Sequence, residues 1–563
     1  MAITKMDWQK NLLFAAMAAV IFMLIIRYGE FQETYQPPVS SSAPQQQAAT
    51  TNSTATSSDI PAAPTEPGAE PVAEEIPAGS VASNISISVS TDTLDVVIDP
   101  QGGDIVRVAL PHYYRKINTP EDPFVLIDND QGRTYTAQSG LIGPNGTDSQ
   151  TGGRPLFHSE SQHYQLQEGQ DSLQVDLTHT QVSGARITKR FTFYREKYRV
   201  QVEYLIDNQS DEIWRANLYG QIKRDDFEPS AASGAFAMKP FVGPALTTPD
   251  DRYRKFSFKD ISKNRFETDL QGGWISMVQH YFISAWVPGS ETNNKFTLEQ
   301  SSSGLYLFTF ISPRVEVAAG ETANLSAQFY AGPKNTNALK EIAPHLDLTV
   351  DYGWLWWLAM PLFGVLKYLY SLIGNWGLSI IALTVIIKAI FFRLSATSYR
   401  SMAKMRKLAP KMQELKERYG DDRQKMSQAT MKLYKDEKVN PLGGCLPMLI
   451  QMPVFLALYW VLMESVELRH TPFLWVPDLS TKDPLFILPL LMGFTMWLTM
   501  RLSPTPTDPM QARIMQFMPL VFTVMFLWFP AGLVLYWVTN NTLSFLQQLV
   551  ITRQIERAET KQT

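Results

Sequence analysis

The 563-residue sequence holds a single cysteine, Cys445, and seven histidines. One thiol can build neither a disulfide framework nor a cysteine-based zinc site within a chain. His158 and His163, five apart on a β-type segment, read as surface histidines rather than a metal pair. There is no G-x-x-x-x-G-K-S/T loop, which argues against a nucleotide-driven machine of that type. H-E-x-x-H and G-x-S-x-G are also missing. The sequence therefore predicts no covalent catalysis, no metal and no cofactor.

What is present is strongly segregated. Net charge is −4, but apolar runs, a polar tract and a basic stretch occupy separate parts of the chain. Residues 11–26 form an apolar run with Lys5 and Lys10 before it and Glu30 and Glu33 after it. It reads either as a cleaved signal or as an uncleaved anchor. Ile25, Ile26, Arg27 and Tyr28 fit no small-residue cleavage site, so 1–30 is taken as an anchor with a cytoplasmic N-terminus. Residues 31–82, dominated by Pro, Ser, Thr, Ala and Gln, are expected to be a disordered tether.

From about residue 84 the pattern alternates. ISISVS, LDVVID and DIVRVAL read as strands with a turn at Pro100–Gly103. SLQVDLTH, the hairpin RITKRFTFYREKYRVQVEYLID and TANLSAQFYAG follow. The prediction over 83–335 is an antiparallel β-sandwich, extracytoplasmic because it follows one inward-starting span.

The remainder reads as an all-α polytopic bundle. Residues 336–375 form a connecting segment and an interfacial amphipathic helix, and 376–552 a five-helix core. Its spans are 376–392, 446–463, 484–500, 514–529 and 533–551, with a cytoplasmic helical hairpin over 396–439 and a tail over 553–563. With the anchor, this makes six spans and places both termini inside. The run 354–373 is apolar enough to span, yet only Gly374 and Asn375 separate it from the next run. Residues 393–440 carry thirteen Lys and Arg against six acids, which favours the cytoplasm for that segment. Parity then lays 354–373 along the outer interface.

In the hairpin, Met402, Met405, Leu408, Met412, Leu415 and Tyr419 recur at helical spacing. Gly420 ends one helix, and Asp421 or Asp422 caps the next, whose apolar face is Met426, Ala429 and Leu433. Lys404, Arg406, Lys407, Lys411, Lys416 and Arg418 suit ribosomal RNA or lipid headgroups. They serve equally as a topology signal on a solvated hairpin.

Polar residues inside spans are costly and usually face the bundle interior or a wet cavity. Thr384 and Lys388 share a face of span two. Gln451 lies near the inner end of span three, and Tyr536, Thr539, Asn540, Asn541 and Ser544 lie on span six. Together they predict a polar hollow open to the cytoplasm and closed toward the outer leaflet. The competing reading of Lys388 is a lysine snorkelling roughly 7 Å to the membrane edge at Arg393. Methionines at 448, 452, 492, 496, 500, 515, 518 and 525 suit a surface that accepts varied apolar partners, or ordinary packing.

KVNPLGGCLPMLIQMPVFLALYWVL at 438–462, SMAKMRKLAPKMQELKERYGDD at 401–422 and FMPLVFTVMFLWFPAGLVLYWVTNN at 517–541 closely resemble the YidC membrane protein insertases, relatives of the mitochondrial Oxa and chloroplast Albino proteins. The anchor, tether and β-domain resemble the Gram-negative form. The resemblance implies insertion of newly made membrane proteins in the bacterial inner membrane, alone or with the Sec translocon. It implies a hydrophilic groove made here by Lys388, Thr384, Gln451, Tyr536, Trp537 and Asn540, where a positive charge attracts acidic residues of the incoming chain. It implies a hydrophobic slide from Met448, Met452, Phe455, Met518, Phe522 and Met525. The ribosome and signal recognition machinery would meet Lys404, Arg406, Lys407 and Lys411. The family's groove arginine falls on Lys388, which keeps the charge and loses the five-donor fork. A tyrosine common in relatives falls on Trp537, which keeps the ring and loses the hydroxyl. Two rivals predict other features. A solute transporter would show polar residues at all depths and repeated halves. A periplasmic carbohydrate-active or binding protein would use its helices only as an anchor.

Overall fold

The computed structural model describes residues 59–64, 86–130, 132–149, 153–227, 240–419, 422–437, 439, 446–503 and 509–560. The predicted anchor, most of the tether, and Gly420 and Asp421 lie outside the described residues. The chain divides into two compact units. One is Ala55–Trp356 together with Met463–His470; the other contains Trp357–Leu462 and Thr471–Thr563.

The first unit is built from a ten-stranded and a nine-stranded sheet. Alternation sets which side chains point inward. In the predicted hairpin, Arg186–Tyr194 pairs antiparallel with Arg199–Asp207, sending Ile187, Phe191 and Phe193 inward beside Val200, Val202 and Ile206. The expected strands fall at Ile87–Ser90, Asp95–Asp99, Asp104–Tyr114, Ser172–Thr180 and Thr322–Pro333. At the turn between the second and third of these, Gly102 and Gly103 take φ of 80° and 64°, a region open to glycine at little cost. Ile98, Ile105, Leu141 and Phe308 of one sheet and Phe191, Val202, Trp286 and Phe329 of the other share a single apolar core. Two short helices, α1 (Phe258–Lys263) and α2 (Thr336–Ile342), complete the unit. Six residues of the expected tether are placed against it: Ile60 and Ala63 pack on Ile142, Tyr219 and Ile311, while Asp59 pairs with Lys223 at 2.5 Å.

Among the described residues, lysines are buried in this unit in two places. Arg154 pairs with Asp104 and, at 2.8 Å, with Asp148. Beside them the fully buried Lys189 ammonium donates to the Gly102 and Ser139 carbonyls at 2.9 and 3.0 Å. Burial drives the Lys189 pKa down to about 7, with the Arg154 charge adding to the fall and Asp104 and Asp148 opposing it. The second place is Lys334, whose ammonium meets Glu464 at 2.5 Å, both side chains almost wholly buried. His280 Nε2 lies 2.9 Å from the Met463 carbonyl, so Met463–His470 is held within the β-unit by charge and hydrogen bonds.

The second unit is helical. Its elements are α3 (Trp356–Ile373), α4 (Trp376–Ile390), α5 (Phe392–Lys407), α6 (Ala409–Tyr419), α7 (Arg423–Asp436), α8 (Leu446–Glu464), α9 (Ile487–Leu502), α10 (Pro509–Phe526) and α11 (Ala531–Thr560). Asn375 caps α4 by accepting from the Leu378 N–H, and Asp422 caps α7 by accepting from Gln424 and Lys425. Leu408 and Met412 are buried within the basic hairpin. Helix α11 is the hub, packing on α4, α5 and α9. Its first two N–H groups donate to the Thr481 and Leu479 carbonyls. A side chain at Gly493 would collide with Thr523, so α9 and α10 approach at a glycine.

Among the described helices, the stretch Gly353–Ile373 is by itself long and apolar enough to cross a membrane. Helices α4 and α5 reach that length only together, and they are bent by 68°. Helices α4, α8 and α9 fall within three residues of ranges expected from the sequence, while α10 begins at Pro509 and α11 runs on to Thr560.

Candidate functional site: a polar cluster around Lys388

The helical unit places most of the expected polar residues together. Lys388, in the last turn of α4, is 6% exposed. Its ammonium donates to Ser544 Oγ of α11 at 2.6 Å and to Gln451 Oε1 of α8 at 3.5 Å. The Gln451 amide then donates to Tyr536 Oη at 3.2 Å and to Asn540 Oδ1. The Ser544 hydroxyl donates in turn to the Asn540 carbonyl at 2.7 Å. Three helices thus converge on one cation through neutral oxygens. Among the described residues no carboxylate pairs with Lys388.

A cavity of about 20 Å³ adjoins this ammonium, lined in part by Phe391, Leu394, Ser395, Ile450 and Val454. That is room for about one water molecule. Elsewhere on α11, four buried polar atoms have no protein partner: Trp537 Nε1, Asn541 Nδ2, Gln547 Oε1 and Gln548 Oε1. Orphaned groups of this kind are costly in an apolar interior.

Aromatic rings border the cluster. Trp537 stands edge-on to Phe455, with ring centroids 4.5 Å apart. It also lies 5.5 Å from Phe526, which stacks on Phe529 at 4.9 Å. Tyr459 lies 5.7 Å from Phe529. Along α8 the chain therefore passes from Gln451 to Phe455 to Tyr459, from polar cluster to aromatic layer.

Placement varies among the remaining sequence candidates. Thr384 is buried, but its hydroxyl donates to the Ile380 carbonyl of its own helix at 2.7 Å. Trp537 belongs to the aromatic layer by its contacts. Phe455 is buried, whereas Met452, Met518, Phe522 and Met525 are half-buried; the Met448 side chain lies outside the described residues. The most exposed apolar side chains of α10 are Phe517, Leu520 and Val521. Lys404, Arg406, Lys407 and Lys411 are exposed on α5 and α6, and Lys411 pairs with Glu437 at 2.6 Å. His158 and His163 are exposed, and among the described residues no group of His, Cys, Asp or Glu is arranged to hold a metal.

Two residues escaped the sequence reading. Tyr399 of α5 reaches Ser544, and Gln548 is 2% exposed one turn beyond Ser544. The spacing 536, 540, 544, 548 held the signal for Gln548.

Comparison with known proteins agrees along the whole chain. A family model described as the YidC periplasmic domain matches residues 86–365, and one described as the 60Kd inner membrane protein matches 368–559. The membrane protein insertase YidC of Cellvibrio japonicus (strain Ueda107) is 58% identical over 560 residues, covering 99% of this chain and 100% of that protein. The one from Ectopseudomonas mendocina (strain ymp) is 50% identical over 581 residues, covering 98% and 99%. A crystal structure of an active YidC insertase with its first transmembrane domain resolved is 17% identical, with a TM-score of 0.36, covering 83% of this chain and 92% of that one. The chain belongs to the YidC family of membrane protein insertases, inner-membrane proteins with a periplasmic β-sandwich domain and a helical C-terminal region.

Proposed function

We propose that this chain inserts newly made proteins into the inner membrane by lodging their polar flanks at the Lys388 cluster while their apolar segments pass into lipid. The observation that carries the reading is a buried ammonium held only by neutral oxygens. A charge in such surroundings is costly unless paired, so an acidic residue of an incoming chain gains a partner that the protein itself does not supply. Apolar residues then partition into lipid at tenths of a kcal/mol each, so the step calls for no nucleotide. The aromatic layer of Phe455, Phe526, Phe529 and Trp537 closes the outer side of the groove. Met448, Met452, Phe455, Met518, Phe522 and Met525, with the exposed face of α10, form the slide.

The same proposal runs six spans, with the anchor at 1–30 and both termini cytoplasmic. Helix α3 lies along the outer interface despite its length. Trp354, Trp356 and Trp357 are exposed at its start, a residue type that favours the interface, and the basic hairpin needs an inward side. Lys404, Arg406, Lys407 and Lys411 face the ribosome and targeting machinery, and the Sec translocon is a partner.

The test is insertion of substrates with acidic outer tails into proteoliposomes holding the full chain. Lys388→Glu is expected to slow insertion about tenfold or more, and Lys388→Arg to slow it much less, since charge–charge contact of this kind is worth roughly 1.5–3 kcal/mol. Equal, negligible effects would reduce Lys388 to a snorkelling lysine.

A further inference from the structure

Asn540, Ser544 and Gln548 occupy i, i+4 and i+8 of α11, one face of a helix, and all three are buried. At 1.5 Å per residue they run about 12 Å along the axis, the reach of roughly four residues of extended chain. None is ionisable. Amide side chains both donate and accept, and three on this helix have an unused atom: Gln547 Oε1 and Gln548 Oε1 accept from nothing, and Asn541 Nδ2 donates to nothing. Gln451 and Asn540 satisfy each other, a neutral bond that a competing amide can replace.

Every non-proline residue of a crossing segment brings one main-chain N–H and one C=O, and each is costly in an apolar layer when unpaired. Substrates share these groups whatever their side chains. From this juxtaposition, and resting on the groove reading above, we infer that Asn540, Ser544 and Gln548 form a ladder that hydrogen-bonds the main chain of an extended polypeptide. Lys388 selects acidic flanks; the ladder accepts any flank that has N–H groups. Gln548 is its step nearest the cytoplasm, where its free Oε1 takes a substrate N–H.

The experiment measures insertion of a single-span substrate by the full chain in proteoliposomes, with a Gly/Ser outer tail or a proline-rich tail of equal length that lacks N–H donors. Gln548→Leu is expected to slow the Gly/Ser substrate about fivefold, the worth of a hydrogen bond, and to leave the proline-rich one unchanged. Gln548→Asn should restore most of the rate. Equal slowing of both tails would make Gln548 a packing residue, and no slowing of either would remove it from the path; both overturn the ladder. A photocrosslinker in place of Asn540 separates the two ideas. Crosslinks to the tail with unchanged Gln548→Leu rates would sink the ladder alone, whereas no crosslinks would sink the groove with it.

Discussion

The two units bury lysines in opposite company. In the β-unit, Lys334 has Glu464 at 2.5 Å, and Lys189, though its ammonium donates to two main-chain carbonyls, sits beside the charged Asp104, Asp148 and Arg154 set. In the helical unit, Lys388 has a serine hydroxyl and an amide oxygen. A buried charge whose partner is built in is a fixed part of the fold, and removing either half leaves the other stranded. A buried charge without a carboxylate contributes little to the fold and is available to something else.

The largest expected break of this comparison comes at Lys334. Lys334→Ala leaves Glu464 buried and unpaired and should destabilise the β-unit by about 3–5 kcal/mol, while the double change Lys334→Met with Glu464→Leu should recover most of it. Hydrogen exchange of the β-unit amides in the full chain measures both. If Lys334→Ala left protection unchanged, the pair would not be a structural element.

A smaller effect is expected from pH. Lys189 titrates near 7 when folded and at its ordinary value of 10.5 when unfolded. Between those values the unfolded chain holds more protons, so stability rises with pH. From pH 7 to 9 the β-unit should gain about 2 kcal/mol relative to Lys189→Met, read from the difference in exchange protection. The Asp104 carboxyl, raised by burial and opposed by Arg154 and Lys189, is common to both proteins.

The smallest stability change should follow Lys388→Met. Replacing an unpaired buried cation by an apolar chain of similar length should alter stability by no more than about 1 kcal/mol in either direction, while insertion of acidic-tailed substrates falls. A loss as large as that of Lys334→Ala would erase the distinction between the two lysines.

Much of this was readable in advance because its signals are local. The hairpin Arg186–Asp207 announced itself by alternation, α7 by its Asp422 cap, and Lys388, Gln451 and Asn540 by being polar within apolar runs. What escaped depends on distant segments. Lys189 occupies an inward strand position that an apolar residue would fill, and only folding brings Gly102, Ser139 and Arg154 around it. Glu464 reads as the polar end of a span; its partner lies 130 residues earlier. Gln548 was legible by spacing but hidden by its position near an expected span end. The burial of Phe455 against Trp537 depends on two helices meeting, which periodicity in one cannot reveal.

The hydrogen bonds of Lys388 have a kinetic consequence. On the function proposed above, an arriving carboxylate would trade places with the hydroxyl and amide on which the ammonium rests instead of tearing apart an ion pair, and those acceptors would be waiting when it left. Capture and departure then share a low threshold, which suits a device that must empty itself after every passenger.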